Sequence, residues 1–158
     1  MHALRCFSFA AVLLFGLMPS AHASHYFVAD IEFIDDVTRA EFVRFGYDDT
    51  EEVLRGLLTP DARERVADAT GLAIGELTEI ARICELLQVR GIGPKAASLL
   101  IAAGVFDVGA LAGYEPGSLV AELEVVNSLG QYTNVNPHFE VVQQWIISAA
   151  DAPYRVEY

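Results

Sequence analysis

Past residue 23, apolar positions recur every three or four residues and almost never alternate, so the pattern predicts helices along the whole chain. In 74–87, Leu77, Ile80, Ala81, Cys84 and Leu87 line one helical face. Boundary signals mark the other helices. Asp36 is placed as the cap of a helix over 36–45, stopped by Gly46. Asp49-Thr50-Glu51-Glu52 resembles a capping box that opens a short helix to Leu58. Thr59-Pro60 sets a cap ahead of a first-turn proline, predicting a helix over 60–70 with Gly71 as its stop. Gly91-Ile92-Gly93 reads as a tight turn, after which Pro94 starts a helix to Ala103, closed by Gly104. Short helices are predicted at 108–112 and 116–126. Asn136-Pro137 repeats the cap-and-proline signal and opens a last helix to Ala150, with Val141, Val142, Trp145 and Ile146 facing inward. Short connections between such helices mean close packing, and the expected fold class is all-α.

The same order of signals occurs twice. Shifting 34–54 by 58 positions lays it on 92–112 without a gap. Ile34 falls on Ile92, Gly46 on Gly104, Asp49 on Asp107 and Val53 on Leu111, while Phe42, Val43 and Phe45 fall on Leu100, Ile101 and Ala103. Leu58-Thr59-Pro60 then parallels Tyr114-Glu115-Pro116. The expectation is two helical units, 33–86 and 87–150, packed as one pseudo-symmetric domain. Residues 24–32 and 151–158 are left as N- and C-terminal tails.

Composition changes the picture mainly at the start of the chain. The 158 residues carry 10 Lys and Arg against 22 Asp and Glu, a formal charge of −12, yet 53% are hydrophobic. That apolar share excludes intrinsic disorder. Part of it is local. A short positive start to Arg5, an apolar run over 6–18, Pro19-Ser20 and the small–x–small Ala21-His22-Ala23 make a secretory signal peptide over 1–23. The run is shorter than the roughly 20 residues of a membrane span. The expectation is therefore an exported protein, periplasmic or extracellular, with no membrane span once the leader is cleaved. Cleavage removes Arg5 and Cys6 and no acid, leaving a charge of −13 and Cys84 as the one cysteine. A single cysteine excludes an internal disulfide, and Cys84 reads either as a small buried hydrophobe or as a reactive thiol or intermolecular disulfide.

The second unit opens with the motif that carries mechanism. Leu87-Gln-Val-Arg90-Gly91-Ile92-Gly93-Pro94-Lys95-Ala-Ala97 looks like a helix-hairpin-helix element, with Ile92 plugging the space between helices and Ala97 allowing close approach. Its turn presents backbone N–H groups at the start of the next helix, where a phosphate can sit, and Arg90 and Lys95 flank it. Arg90, Gly91, Ile92, Gly93 and Lys95 are thus the candidate phosphate or partner contacts. Together with Leu99, Leu100, Ala103-Gly104-Val105, Leu111-Ala112, Pro116, Leu119, Leu123, Asn127, Pro137 and Trp145-Ile146, this motif resembles the bacterial family called "domain of unknown function 4332". Upstream, Pro60, Arg63, Ala67, Thr70 and Gly71 resemble that family's preceding unit, so the resemblance covers 33–150. It implies a duplicated helix-hairpin-helix-like fold and no assigned activity.

Charge weighs against nucleic acid as the main partner. In the first unit the place of Gly93-Pro94 is taken by Asp35-Asp36, with Glu32 just before, which puts carboxylates where phosphates would sit. Residues 24–86 hold 6 basic and 15 acidic side chains, a net of −9, and 87–150 hold 2 and 5. Non-specific DNA affinity needs Lys and Arg to displace counterions. Enzyme chemistry has no visible carrier. His25 and His138 are the only histidines after the leader, no metal-ligand or GxxxxGK spacing occurs, and pairs such as Asp48-Asp49 and Glu51-Glu52 read as helix-start charges. No catalytic, cofactor-binding or metal-ligating residue is expected. Two readings remain: an exported, non-enzymatic interaction module for a protein or envelope partner, and an exported helix-hairpin-helix protein touching DNA phosphates through the Gly91–Gly93 turn.

Overall fold

The computed structural model describes residues 25–31, 33–153 and 155–158. The leader expected over 1–23 and the side chain of Glu32 lie outside the described residues. Eight α-helices follow one turn of 3₁₀ helix at Val28–Asp30: α1 Asp36–Phe45, α2 Thr50–Leu57, α3 Pro60–Thr70, α4 Ile74–Leu87, α5 Pro94–Ala102, α6 Val108–Ala112, α7 Pro116–Gly130 and α8 Phe139–Ala150. Among the described residues the only extended pairing is one isolated bridge, Phe27 to Asp49, so the fold is all-α. No helix among them is long and apolar enough to cross a membrane.

Caps explain most of the boundaries, and several differ from expectation. The cap of α1 is Asp35, not Asp36: its carboxylate accepts from the Val37 and Thr38 N–H groups at 2.8 and 3.1 Å. With two acids in a row, the residue that keeps an extended backbone takes the role, and that is Asp35, with ψ 163°. Asp49 caps α2 through Glu51 and Glu52, but the returning Glu52 carboxylate accepts from Asp48 N–H at 2.7 Å, one residue before the cap itself. Thr59 and Gly71 bound α3 as the cap-and-proline pattern predicts, with Gly71 in the left-handed region at φ 79°. The helix predicted over 116–126 runs on to Gly130. Asn127 does not stop it but turns inward, 8% exposed, and holds the following loop by bonds to Thr133 and Asn136. That engagement also removes Asn136 as a cap, and α8 starts at Phe139, after His138, rather than at Pro137. On α8 the inner face is Val142, Trp145 and Ala149, whereas Val141 is exposed.

Packing gathers the buried side chains into two clusters. The first takes Ile34 and Phe42, Val53 and Leu57 of α2, and Leu77, Ile80, Ala81 and Cys84 of α4. The second takes Leu86 and Leu87 from the end of the same α4, then Ile92, Ala97, Leu100, Leu111, Leu123, Val142 and Trp145. Helix α4 therefore runs through both. Removing a fully buried large side chain from either costs about 2–5 kcal/mol, through lost transfer energy and the cavity left behind. Cys84 is 1% exposed and burial pushes its thiol pKa up to about 12, which keeps it a neutral hydrophobe.

Both stretches read as tails are built into the first cluster. Val28 N–H donates to Asp48 O at 2.9 Å and Thr50 N–H to Tyr26 O at 3.0 Å, which seats Val28 and Ile31 against α2. At the other end, Glu157 N–H donates to Leu58 O at 2.9 Å and Val156 enters the same cluster. Two buried charges hold that end. Arg63, 3% exposed, donates to the carbonyls of Leu57, Leu58 and Glu157 at 2.7, 3.1 and 2.6 Å. Glu85, 2% exposed, accepts from Val108 and Val156 N–H at 3.2 and 2.8 Å.

Candidate functional site

The candidate contacts cluster at the turn between α4 and α5. Ile92 N–H donates to Val89 O at 3.0 Å and closes the turn, with Ile92 fully buried between the helices. Gly91 has φ 88°, a conformation that costs a residue with a Cβ about 1–2 kcal/mol. A Cβ there would also meet Trp145 Nε1 at 3.2 Å. Trp145 is 4% exposed and its indole N–H finds no acceptor among the described residues. Gly93 caps α5 with no side-chain bond, and the Tyr26 hydroxyl lies 3.2 Å from where its Cβ would be. Only Gly, or a residue that displaces Tyr26, fits at that cap.

Arg90 and Lys95 are both exposed, yet they open onto different clefts. Arg90 lines a cleft of 270 Å³ with Gln144, Ile147, Ser148 and Asp151 of the α8 end. Lys95 lines one of 310 Å³ with Phe33, Pro94, Ser98, Gln131 and Tyr132. The second cleft is bounded by the loop that Asn127 holds. Its first residue, Gln131, is left-handed at φ 52° and closes α7 by donating its N–H to Asn127 O at 2.8 Å, and a Cβ on Gly130 would clash with the Tyr132 ring. The two cations thus flank the turn without converging on one point.

The corresponding place before α1 is filled from within. Asp35 occupies the helix N-terminus, with Thr38 Oγ1 donating to it at 2.6 Å as well, and these hydrogen bonds, the Thr38 hydroxyl first, hold its pKa below the usual value. Arg39 Nη2 covers the carbonyls of Ile31 and Ile34, each at 2.8 Å. At α5 the cap position is glycine, which offers no side-chain bond to the first-turn N–H groups.

The hairpin motif placed Ile92 and Ala97 inside, whereas Arg63 entered only with the family resemblance, without a role, and nothing singled out Glu85. Each has a backbone partner far along the chain, Glu157 for Arg63 and Val156 for Glu85, and the nearest local signal is Glu85 interrupting the buried run of Cys84, Leu86 and Leu87. Among the described residues no three His, Cys, Asp or Glu side chains group as metal ligands. His25 instead meets Glu51 at 3.0 Å.

The fold and this turn define an all-α protein with two hydrophobic clusters threaded by one helix. Its family follows from sequence comparison: the model described as "Domain of unknown function (DUF4332)" matches residues 32–152, and the chain belongs to that family. No curated protein and no solved structure matches the chain.

Proposed function

We propose that the protein is an exported, non-enzymatic helical interaction module, formed by duplication of one helical unit and docking a protein or envelope partner. The observation that carries this reading is an uncharged stretch with exposed apolar side chains on an otherwise acidic molecule. From Val125 to Phe139 there is no Asp, Glu, Lys or Arg. Within that stretch Val125, Leu129, Val135 and Phe139 stand exposed, Leu129 at 83%. Exposed apolar groups gathered in this way mark interaction sites. The duplication is supported by local devices 58 residues apart. Gly46 and Gly104 have φ 87° and 84°, and each is followed by a matching return bond, Tyr47 N–H to Phe42 O and Val105 N–H to Leu100 O, both 2.9 Å. Asp49 and Asp107 cap the next helix in each half. Export rests on the leader pattern alone, and fractionation of cells expressing the tagged chain checks it. Gel filtration with crosslinked capture from the envelope fraction tests the module: a monomer with no reproducible partner overturns it.

A second reading, phosphate contact at the Gly91 turn, is favoured by the one cap position where the first half has a carboxylate and the second has none. Opposing it are the acidity of 24–86 and the divergence of Arg90 and Lys95. Anisotropy titration with duplex DNA at about 50 mM salt decides, since phosphate contacts carry a steep salt slope. Binding that is absent, or unchanged by Arg90→Glu with Lys95→Glu, removes it.

A further inference from the structure

Helix α4 has two faces in use. Leu77, Ile80, Ala81 and Cys84 belong to the first cluster. Glu79, Arg82 and Ile83 line a hollow of 130 Å³ together with Ile101 of α5 and with Phe106, and Leu86 and Leu87 carry that side of the helix into the second cluster. Beside α4, Ile101 and Ala103 are only partly exposed and pack against the second cluster.

Helix α8 repeats the first of these faces. Leu77, Ile80, Ala81 and Cys84 shifted by 65 positions fall on Val142, Trp145, Ile146 and Ala149, the residues of α8 that join the second cluster. The same shift carries Glu79, Arg82 and Ile83 onto Gln144, Ile147 and Ser148. These line the open cleft of 270 Å³ beside Arg90, and Ile147 is 56% exposed. In the first half, α1 is the counterpart of α5 under the shift of 58. Val43 and Phe45 stand where Ile101 and Ala103 do, yet they are 50% and 40% exposed, and α1 packs chiefly on the single turn Val28–Asp30. Repeated units contact their neighbours in line, and an end unit without a neighbour needs a polar outer face. Here the two end faces present Ile147 and Val43.

We propose that copies of this chain associate head to tail, α8 of one laid on α1 of the next as α4 is laid on α5 within the chain. The occupant is a second copy because the molecule already contains this contact once, between counterparts of the same two helices. Charge permits it. Each copy carries −12, so two copies repel except where charge is absent or paired. From Val141 to Ala150 there is no charged residue, and the four charges of α1 pair among themselves, Arg39 with Asp36 and Arg44 with Glu41. Arg39 stands in the place of Ala97 and covers the turn before α1, so the incoming helix lies toward Val43 rather than at the turn. The two faces differ, which makes the contact heterologous and leaves each copy a free face for the next. The inference rests on the duplication proposed above and names a second copy as the partner.

Sedimentation of the full chain from about 1 μM to about 1 mM, the range of weak association, is expected to show an average mass that rises beyond two copies. Val43→Asp and Ile147→Asp, each with unchanged helical circular dichroism, are expected to weaken association by about 10-fold or more, because each buries an unpaired carboxylate. Mixed together, the two variants are expected to associate as tightly as the wild type but to stop at one copy of each, since only one intact contact can form. A wild type that stays monomeric overturns the proposal; if that same sample captures an envelope partner, the interaction module stands and only self-assembly falls. Association blocked by one substitution alone means that like faces meet, and it also overturns the proposal, as does a mixture no tighter than its components. Should either variant not fold, Val43→Ser or Ile147→Ser takes its place with the same expected order, and the wild-type measurement decides alone whether copies associate.

Discussion

The turns before α1 and α5 begin alike, with a buried Ile plug, and end in opposite electrostatic states. Before α1, Asp35 supplies the negative charge that a helix N-terminus favours, and Arg39 takes the spare carbonyls of the turn. Before α5, glycine leaves that place without a side chain, while Ala97 stands 58 residues on from Arg39 and buries itself between helices. The same backbone device is thus capped by a carboxylate before α1, whereas before α5 its cap is a glycine with the Tyr26 hydroxyl beside it. A helix N-terminus is a binding feature only where the chain declines to complete it.

The comparison breaks first at the level of whole cores. Phe42→Ala is expected to cost about 3–5 kcal/mol and Leu100→Ala about 2–5 kcal/mol. Because α4 runs through both clusters, each change should lower one shared transition in urea followed by circular dichroism. Two separated transitions would show that the halves stand alone. Next in size, Gly91→Ala combines a left-handed backbone with a Cβ pressed on Trp145 and should cost about 2–4 kcal/mol. Gly46→Ala meets nothing within 4 Å and should cost only about 1–2 kcal/mol. Equal losses for the two would mean that the Trp145 contact is slack.

Glu85→Gln should cost about 1–3 kcal/mol, since one of two accepting oxygens becomes a donor facing a backbone N–H. It also has a pH signature. Burial, only partly opposed by the two N–H bonds, raises the Glu85 pKa above its usual 4.5. The folded state therefore binds this proton more readily than the unfolded chain, and the Glu85 contribution to stability grows as pH falls through the folded pKa and levels off near 4.5. Asp35 has the opposite sign: its lowered pKa gives stability that is present above 3.8 and is lost as pH falls below it. Melting temperature against pH should show wild type gaining on Glu85→Gln as pH falls toward 4.5, with both declining below 3.8. The smallest effect is at the paired caps. Asp49→Ala should cost about 1 kcal/mol, and Asp107→Ala less, because Asp49 accepts from two N–H groups and Asp107 from one.

Most of the helices were legible because their signals are local. Thr59-Pro60, Gly71 and the inner stripe of α4 each act within a few residues, and the pattern locates them to within a residue. What misled the reading was competition between equivalent neighbours or a distant claim on a side chain. Asp35 and Asp36 are chemically the same, and only backbone conformation separates them. Asn136 has the right chemistry to cap α8 but is held by Asn127. The seat of residues 155–158 was illegible for a stronger reason. Val156 lies 71 residues from Glu85 and Glu157 lies 94 from Arg63, and nothing local in either sequence announces the other. Of the turn, the sequence located the glycines and the cations but not the direction in which each cation opens.

The route of residues 155–158 also orders assembly in time. The buried residues of the second cluster lie within 86–149, all before residues 155–158 in the chain. The first cluster is not sealed until Val156 arrives, and closing so long a loop carries an entropic cost that late contacts must offset. The half of the molecule that is made first is therefore the last to be finished. Until then Arg63 lacks one of its three carbonyl partners and Glu85 one of its two N–H donors.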